Sequence, residues 1–112
     1  MHCIVLREGR YIMDPQLKKG FLEVLVLASL KEEPSYGYKI VQDVSEIIDI
    51  SESTLYPILK RLEQQKFVKI YTEQHQSRLR KYYMITQSGL NEIDKSKRDY
   101  EEITKIYRYI LR

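Results

Sequence analysis

A single cysteine, Cys3, in 112 residues rules out a disulfide within the chain and fits a reducing cytosol. Histidine is nearly as scarce, with His2 and His75 only. An adjacent His–Cys pair near a terminus lacks the further ligands that a metal requires, so a metal- or redox-sensing role is disfavoured and no cofactor is expected. The four glycines stand singly and form no loop that could cradle a phosphate. No apolar run approaches the roughly 20 residues of a membrane span, and nothing at the start reads as a signal peptide. No carboxylate, cysteine or serine is placed to form a catalytic set with His75, which argues against an enzyme. Internal repeats and low-complexity tracts are missing too.

What is present is 31% charged and 43% hydrophobic residues, the composition of one ordered, soluble domain. At this size a second chain can be needed to complete the core. The net charge of +3 is mild but unevenly spread. Between residues 66 and 82, Lys66, Lys69, Arg78, Arg80 and Lys81 stand against Glu73 alone.

The most informative stretch is Ser51-Glu-Ser-Thr-Leu-Tyr-Pro-Ile-Leu-Lys-Arg-Leu62. Leu55, Ile58, Leu59 and Leu62 recur at the spacing of one helical stripe. Ser51 is a good N-cap, because its hydroxyl can accept from an orphan backbone N–H. Ser53, Tyr56, Pro57, Lys60 and Gln64 project away from the stripe, with Thr54 and Arg61 on the flank. Pro57 removes one intrahelical bond, but on the face away from the stripe. An apolar back with a front of hydroxyls, an aromatic ring and a cation is what a major-groove reader requires. A helix serving only as a protein-interaction module would carry apolar residues on that front, and this is the competing reading.

Met13-Asp-Pro-Gln reads as a natural beginning, which sets residues 1–12 apart as an upstream extension or a leader strand. Leu17 to Leu30 is apolar nearly all round, so a helix buried on more than one side is expected, with Leu22 and Leu25 facing a second chain. After Glu32, Glu33 and Pro34, Ser35 can cap a second helix. Its buried stripe is Tyr36, Ile40, Val41, Val44, Ile47 and Ile48. Only Asp49 and Ile50 separate it from the Ser51 cap, so the pair reads as a helix-turn-helix.

Beyond Gln65 the pattern alternates. Val68, Ile70 and Thr72 oppose Lys69, Tyr71 and Glu73. In a second strand, Arg80 to Thr86, Tyr82 and Met84 oppose Lys81, Tyr83 and Ile85. Gln74 to Leu79 is the expected connection. The whole is an α+β, mainly α winged helix-turn-helix, with the basic residues on a hairpin where DNA phosphates would lie.

These same residues carry a resemblance. Leu17 to Leu27, Tyr36-Gly-Tyr-Lys-Ile40, Ser53-Thr-Leu-Tyr-Pro through Glu63, Arg80-Lys-Tyr-Tyr83 and Thr86-x-x-Gly89 resemble the PadR family of bacterial transcriptional regulators. The family implies a winged helix over residues 13–86 and a dimerisation helix over 87–112. It further implies a cytoplasmic repressor on a double-stranded DNA operator, released by a small molecule at the dimer interface. Tyr36, Tyr38 and Lys39 thereby join Ser51, Ser53, Thr54, Tyr56, Lys60, Arg61, Arg78, Arg80 and Lys81 as expected DNA contacts. Two departures stand out: the family has glycine before the first wing strand and at the wing tip, where this chain has Lys66 and Ser77. The relatives' stacking platform for planar ligands is also missing, since the chain has no tryptophan.

The C-terminal run supports a homodimer without the resemblance. Ile93, Ser96, Tyr100, Ile103, Tyr107 and Ile110 are spaced by threes and fours, an a/d seam across about three heptads.

Overall fold

The computed structural model describes residues 13–112 and two short strands before them, β1 (Leu6–Arg7) and β2 (Arg10–Tyr11), which pair antiparallel. His2 and Cys3 lie outside the described residues.

Helix α1 (Pro15–Ser29) begins where its chemistry says it should. Asp14 accepts from the backbone N–H groups of Gln16 and Leu17 at 3.0 and 3.2 Å, and Pro15 occupies the first helical position, where no N–H is needed. Helices α2 (Gly37–Ser45) and α3 (Glu52–Gln64) follow. The hairpin of β3 (Val68–His75) and β4 (Arg78–Ile85) comes next, and α4 (Gln87–Ile110) closes the chain. One core joins the first three helices and the hairpin. Leu22, Val26 and Leu27 of α1 and Leu30 at its C-cap meet Ile40 and Val44 of α2 and the Leu55–Ile58–Leu59–Leu62 stripe of α3, and the hairpin closes them off with Val68 and Tyr83. Each such fully buried side chain contributes about 1.5–3 kcal/mol of transfer free energy. No helix among the described residues is long and apolar enough to cross a membrane.

Several local expectations change in three dimensions. Ser35 does not cap α2: Tyr36 holds the cap position, without a side-chain hydrogen bond. Ser35 instead lies buried and pairs by its backbone with Tyr83 of β4, at 3.0 and 2.7 Å, as a one-residue third strand. A residue already held in this ladder is oriented by β4 and not by the helix start. Ile47 leaves the expected stripe and is 73% exposed, because α2 stops at Ser45 and the connection turns it outward. The hairpin is longer and its turn tighter than the alternation suggested. His75 pairs with Arg78, leaving a two-residue turn of Gln76 and Ser77, both at positive φ (49° and 68°) as in a type I′ turn.

Lys66 is the third residue at positive φ, 64°. It ends α3 in a Schellman arrangement: the Phe67 N–H donates to Leu62 O and the Lys66 N–H to Glu63 O, both at 2.9 Å. Lys66 and Ser77 are the positions where the resemblance implies glycine. The backbone keeps the glycine conformation and the side chains bear its steric cost, about 1–2 kcal/mol each. Lys66→Gly and Ser77→Gly are therefore each expected to stabilise the fold. The net gain is about 0.5–1 kcal/mol once glycine's greater unfolded-state freedom is subtracted. Thermal melts of the two variants check this; a fall in midpoint for either one would contradict it.

Gly89 explains the Thr86-x-x-Gly89 pattern. Thr86 caps α4 by accepting from the Gly89 N–H at 3.1 Å and donates its own hydroxyl to Lys66 O at 2.8 Å. A Cβ at Gly89 would lie 2.4 Å from the Phe67 carbonyl oxygen, so only glycine lets α4 leave the hairpin this closely.

Candidate nucleic-acid interface

Tyr56 of α3, the start of α2 and the wing line one open cleft of about 990 Å³, with tyrosines 36, 38, 56 and 83 and His75, Arg78, Arg80 and Lys81 in its walls. The elements that build it are held together locally. Ser51 caps α3 through the Thr54 N–H, and its hydroxyl also meets those of Ser53 and Thr54 at 3.0 and 3.2 Å. These three hydroxyls stand exposed at the positive end of the helix dipole. Lys60 is exposed about two turns beyond Ser53 on the same front.

Tyr56 is not the free outward side chain that the helical wheel suggests. Its ring lies over Gly37, where a Cβ would sit 2.4 Å from the Tyr56 hydroxyl. This close approach gives the glycine between Tyr36 and Tyr38 its role. On the other side Tyr56 neighbours Tyr83, whose phenol is held above its usual pKa first by burial, then by Tyr56 and Glu63. Tyr56 therefore joins three elements while keeping one edge in the cleft.

Arg61 stands on the flank of α3. Its Nε pairs with Oε1 of Glu23 at 2.7 Å, a partly exposed ion pair that ties α3 to α1. Lys39 is paired within its helix to Asp43 at 3.0 Å, and this hydrogen bond and charge raise its pKa. On the wing, Arg78 and Lys81 are exposed, whereas Arg80 is half-buried with its guanidinium 4.0 Å above the Tyr36 ring. Tyr36 meets Tyr82 edge-on at 5.6 Å, and Tyr82 stacks on its cross-strand partner Tyr71 at 5.3 Å. Tyr71 titrates above the usual range through desolvation, with Glu73 and Tyr82 adding to it.

Residues 26–95 match the model of the transcriptional regulator PadR-like family. The chain belongs to that family. An uncharacterized protein of Lysinibacillus sphaericus is 30% identical over 93 residues, 79% of this chain and 85% of the relative. Among solved structures, a transcriptional regulator of Clostridium thermocellum superposes with a TM-score of 0.81 at 27% identity, covering 90% of this chain and all of the other. A PadR family transcriptional regulator of Eggerthella lenta gives 0.77 at 33%, covering 86% of each chain. The winged helix-turn-helix of this PadR-like chain is thus that of a DNA-binding transcriptional regulator, not of an enzyme.

The residues expected at a dimer contact divide into two groups. Leu22 is 5% exposed and lies in the chain's own core, which corrects its assignment to a partner. Leu25 and Ile93 pack half-buried against that core, and Tyr100 stacks on Phe21 at 5.4 Å. Burial, then Asp99, raises the Tyr100 phenol, against a hydrogen bond with Ser96. From Glu101 onward every residue is exposed, including Ile103, Tyr107 and Ile110 of the seam. Ile106, Tyr109 and Leu111 are apolar and exposed as well, outside the strict a/d spacing. Along the wing, His75 and Leu79 line the cleft as strand residues although the sequence placed them in the connecting turn, and Gln76 lines it from the turn itself. No alternation could have marked the strand ends, because residues 72–78 are uniformly polar.

Proposed function

We propose that this PadR-like chain is a homodimeric, sequence-specific repressor working in the cytoplasm. In this reading residues 13–86 form the DNA-binding head and 87–112 the dimerisation helix. The observation that carries it is the cleft, where Tyr56 of α3 and Tyr36 and Tyr38 of the α2 start face the cationic wing residues Arg78, Arg80 and Lys81. Beside it, Ser51, Ser53, Thr54 and Lys60 are exposed on α3. Ser51, Ser53, Thr54 and Lys60 are the residues for base edges, with Tyr38 and Tyr56 beside them. Arg78, Arg80 and Lys81 are those for phosphates. The exposed apolar half of α4 supports a second copy of the chain as its partner. Relief by a small molecule belongs to the same reading. What supports it is a hollow of about 350 Å³ at the root of α4, walled by Phe21, Val24, Leu25, Ala28, Ile47, Ile48 and Tyr100. Ile47 and Ile48 belong to the connection that sets α3, so an occupant there would touch the element that orients the reading helix.

The test begins with a footprint on DNA upstream of the chain's own gene. A two-fold dimer reads half-sites about 10 base pairs apart, or a multiple of that. Inserting about five base pairs between the half-sites rotates one to the opposite side of the duplex, and binding is expected to collapse. Full tolerance of the insertion would mean that the heads act alone, and absence of a footprint would favour a protein-interaction module.

A further inference from the structure

We infer that Tyr36 is a positioning residue which holds the Arg80 guanidinium in place for a DNA phosphate; this rests on the DNA-binding reading above. An arginine on an exposed hairpin ordinarily samples many rotamers, and ordering it on binding weakens affinity. Arg80 is already ordered. Its guanidinium lies 4.0 Å above the Tyr36 ring, and the same ring is braced edge-on by Tyr82, at 72° between planes. Tyr82 in turn lies nearly parallel to Tyr71, 8° between planes. Four planar groups thus run in series across the junction of α2 and the wing. The backbone fixes the series from behind, because Ser35, the residue before Tyr36, is paired on both sides to Tyr83.

The chemistry of the guanidinium makes this useful. Its N–H donors lie in its plane, so a group stacked by one face keeps its edge free for in-plane hydrogen bonds to a phosphate. Arg80 lines the cleft beside Arg78 and Lys81. Glu73 is its cross-strand neighbour, yet among the described residues Arg80 is in no ion pair, whereas Lys39 and Arg61 both are. A stacked, unpaired arginine in a cationic cleft is a preformed phosphate ligand, and Tyr36, for which the resemblance implied a direct DNA contact, acts instead by setting its direction.

The experiment titrates the full-length protein against a random-sequence duplex at several salt concentrations, with melts alongside. Tyr36→Phe keeps the ring and is expected to bind like the parent. Tyr36→Leu is expected to weaken binding about two- to tenfold and to lower the salt slope by up to about one unit, as Arg80→Ala does. Combined with Arg80→Ala, it should add nothing further. Equal losses in Tyr36→Phe and Tyr36→Leu would mean that the hydroxyl itself contacts DNA, and additive losses in the double variant would mean independent roles. Either result overturns the inference. If Tyr36→Leu melts early, Arg80→Lys keeps the aromatic series intact while removing the planar fork. It should lose about two- to tenfold in affinity with the charge retained, and unchanged affinity would overturn the inference. A parent protein with no salt-dependent binding would instead sink the DNA-binding reading itself.

Discussion

Replacing Ile103 and Tyr107 together by aspartate is expected to turn the protein into monomers. Both side chains belong to the seam of α4, and in a single chain they are 43% and 60% exposed. Nothing in the chain's own core depends on them, so the head and the helix should survive the change with little loss. In a dimer closed along that seam, each copy would bury two unpaired carboxylates. Burying a charge without a partner costs about 3–5 kcal/mol, enough to raise the dimer dissociation constant by a hundredfold or more, roughly. Sedimentation at micromolar protein should then show a monomer with an unchanged circular dichroism spectrum, and operator affinity should fall with the loss of the second head. A dimer that persists in this variant would place the interface elsewhere, on α1 for instance.

The second large effect separates helix from wing. Ser53 and Lys60 stand exposed on the front of α3, and Arg78 and Lys81 stand exposed on the hairpin. Base contacts discriminate between sequences at about 1–3 kcal/mol each, whereas phosphate contacts release counterions whatever the sequence. Ser53→Ala with Lys60→Ala should therefore shrink the gap between operator and random DNA by about tenfold or more, with a small change in salt slope. Arg78→Ala with Lys81→Ala should weaken both DNAs alike and lower the slope by about two units. Tyr56 is left out of the first pair because its ring is bedded on Gly37, so truncating it would loosen the head as well as remove a contact. Should the wing variant lose discrimination at an unchanged slope, the wing would be reading bases or groove shape, and the assignment of roles would reverse.

Among the described residues, the four groups with shifted pKa values keep their protonation states near neutrality. Tyr71, Tyr83 and Tyr100 are all shifted upward, chiefly by desolvation, so their phenols stay protonated there. Lys39 is likewise shifted further into its charged range by Asp43.

The sequence by itself determined whatever depends on neighbours along the chain. The apolar stripe of α3, its Ser51 cap, the strand alternation that makes a wing and the C-terminal helix are all periodic or local signals. Each was legible because a helix or strand must place those residues on one face whatever it packs against. The Thr86 and Gly89 pair could be recognised as a pattern, but only the approach of the Phe67 carbonyl supplies the reason for its glycine. Tertiary structure decided everything that depends on which faces meet. Ser35 has the chemistry of a cap and became a strand because Tyr83, far along the chain, offered both backbone bonds. That Arg61 pairs with Glu23 on another helix could likewise be seen only in the fold. Tyr56 looked outward on a helical wheel and folded over a glycine that the wheel does not contain. Ile47 continued the spacing of a buried stripe, but α2 ended before it. For Ser35 and Tyr56 a partner from a distant part of the chain made the choice, and for Ile47 the end of α2 did.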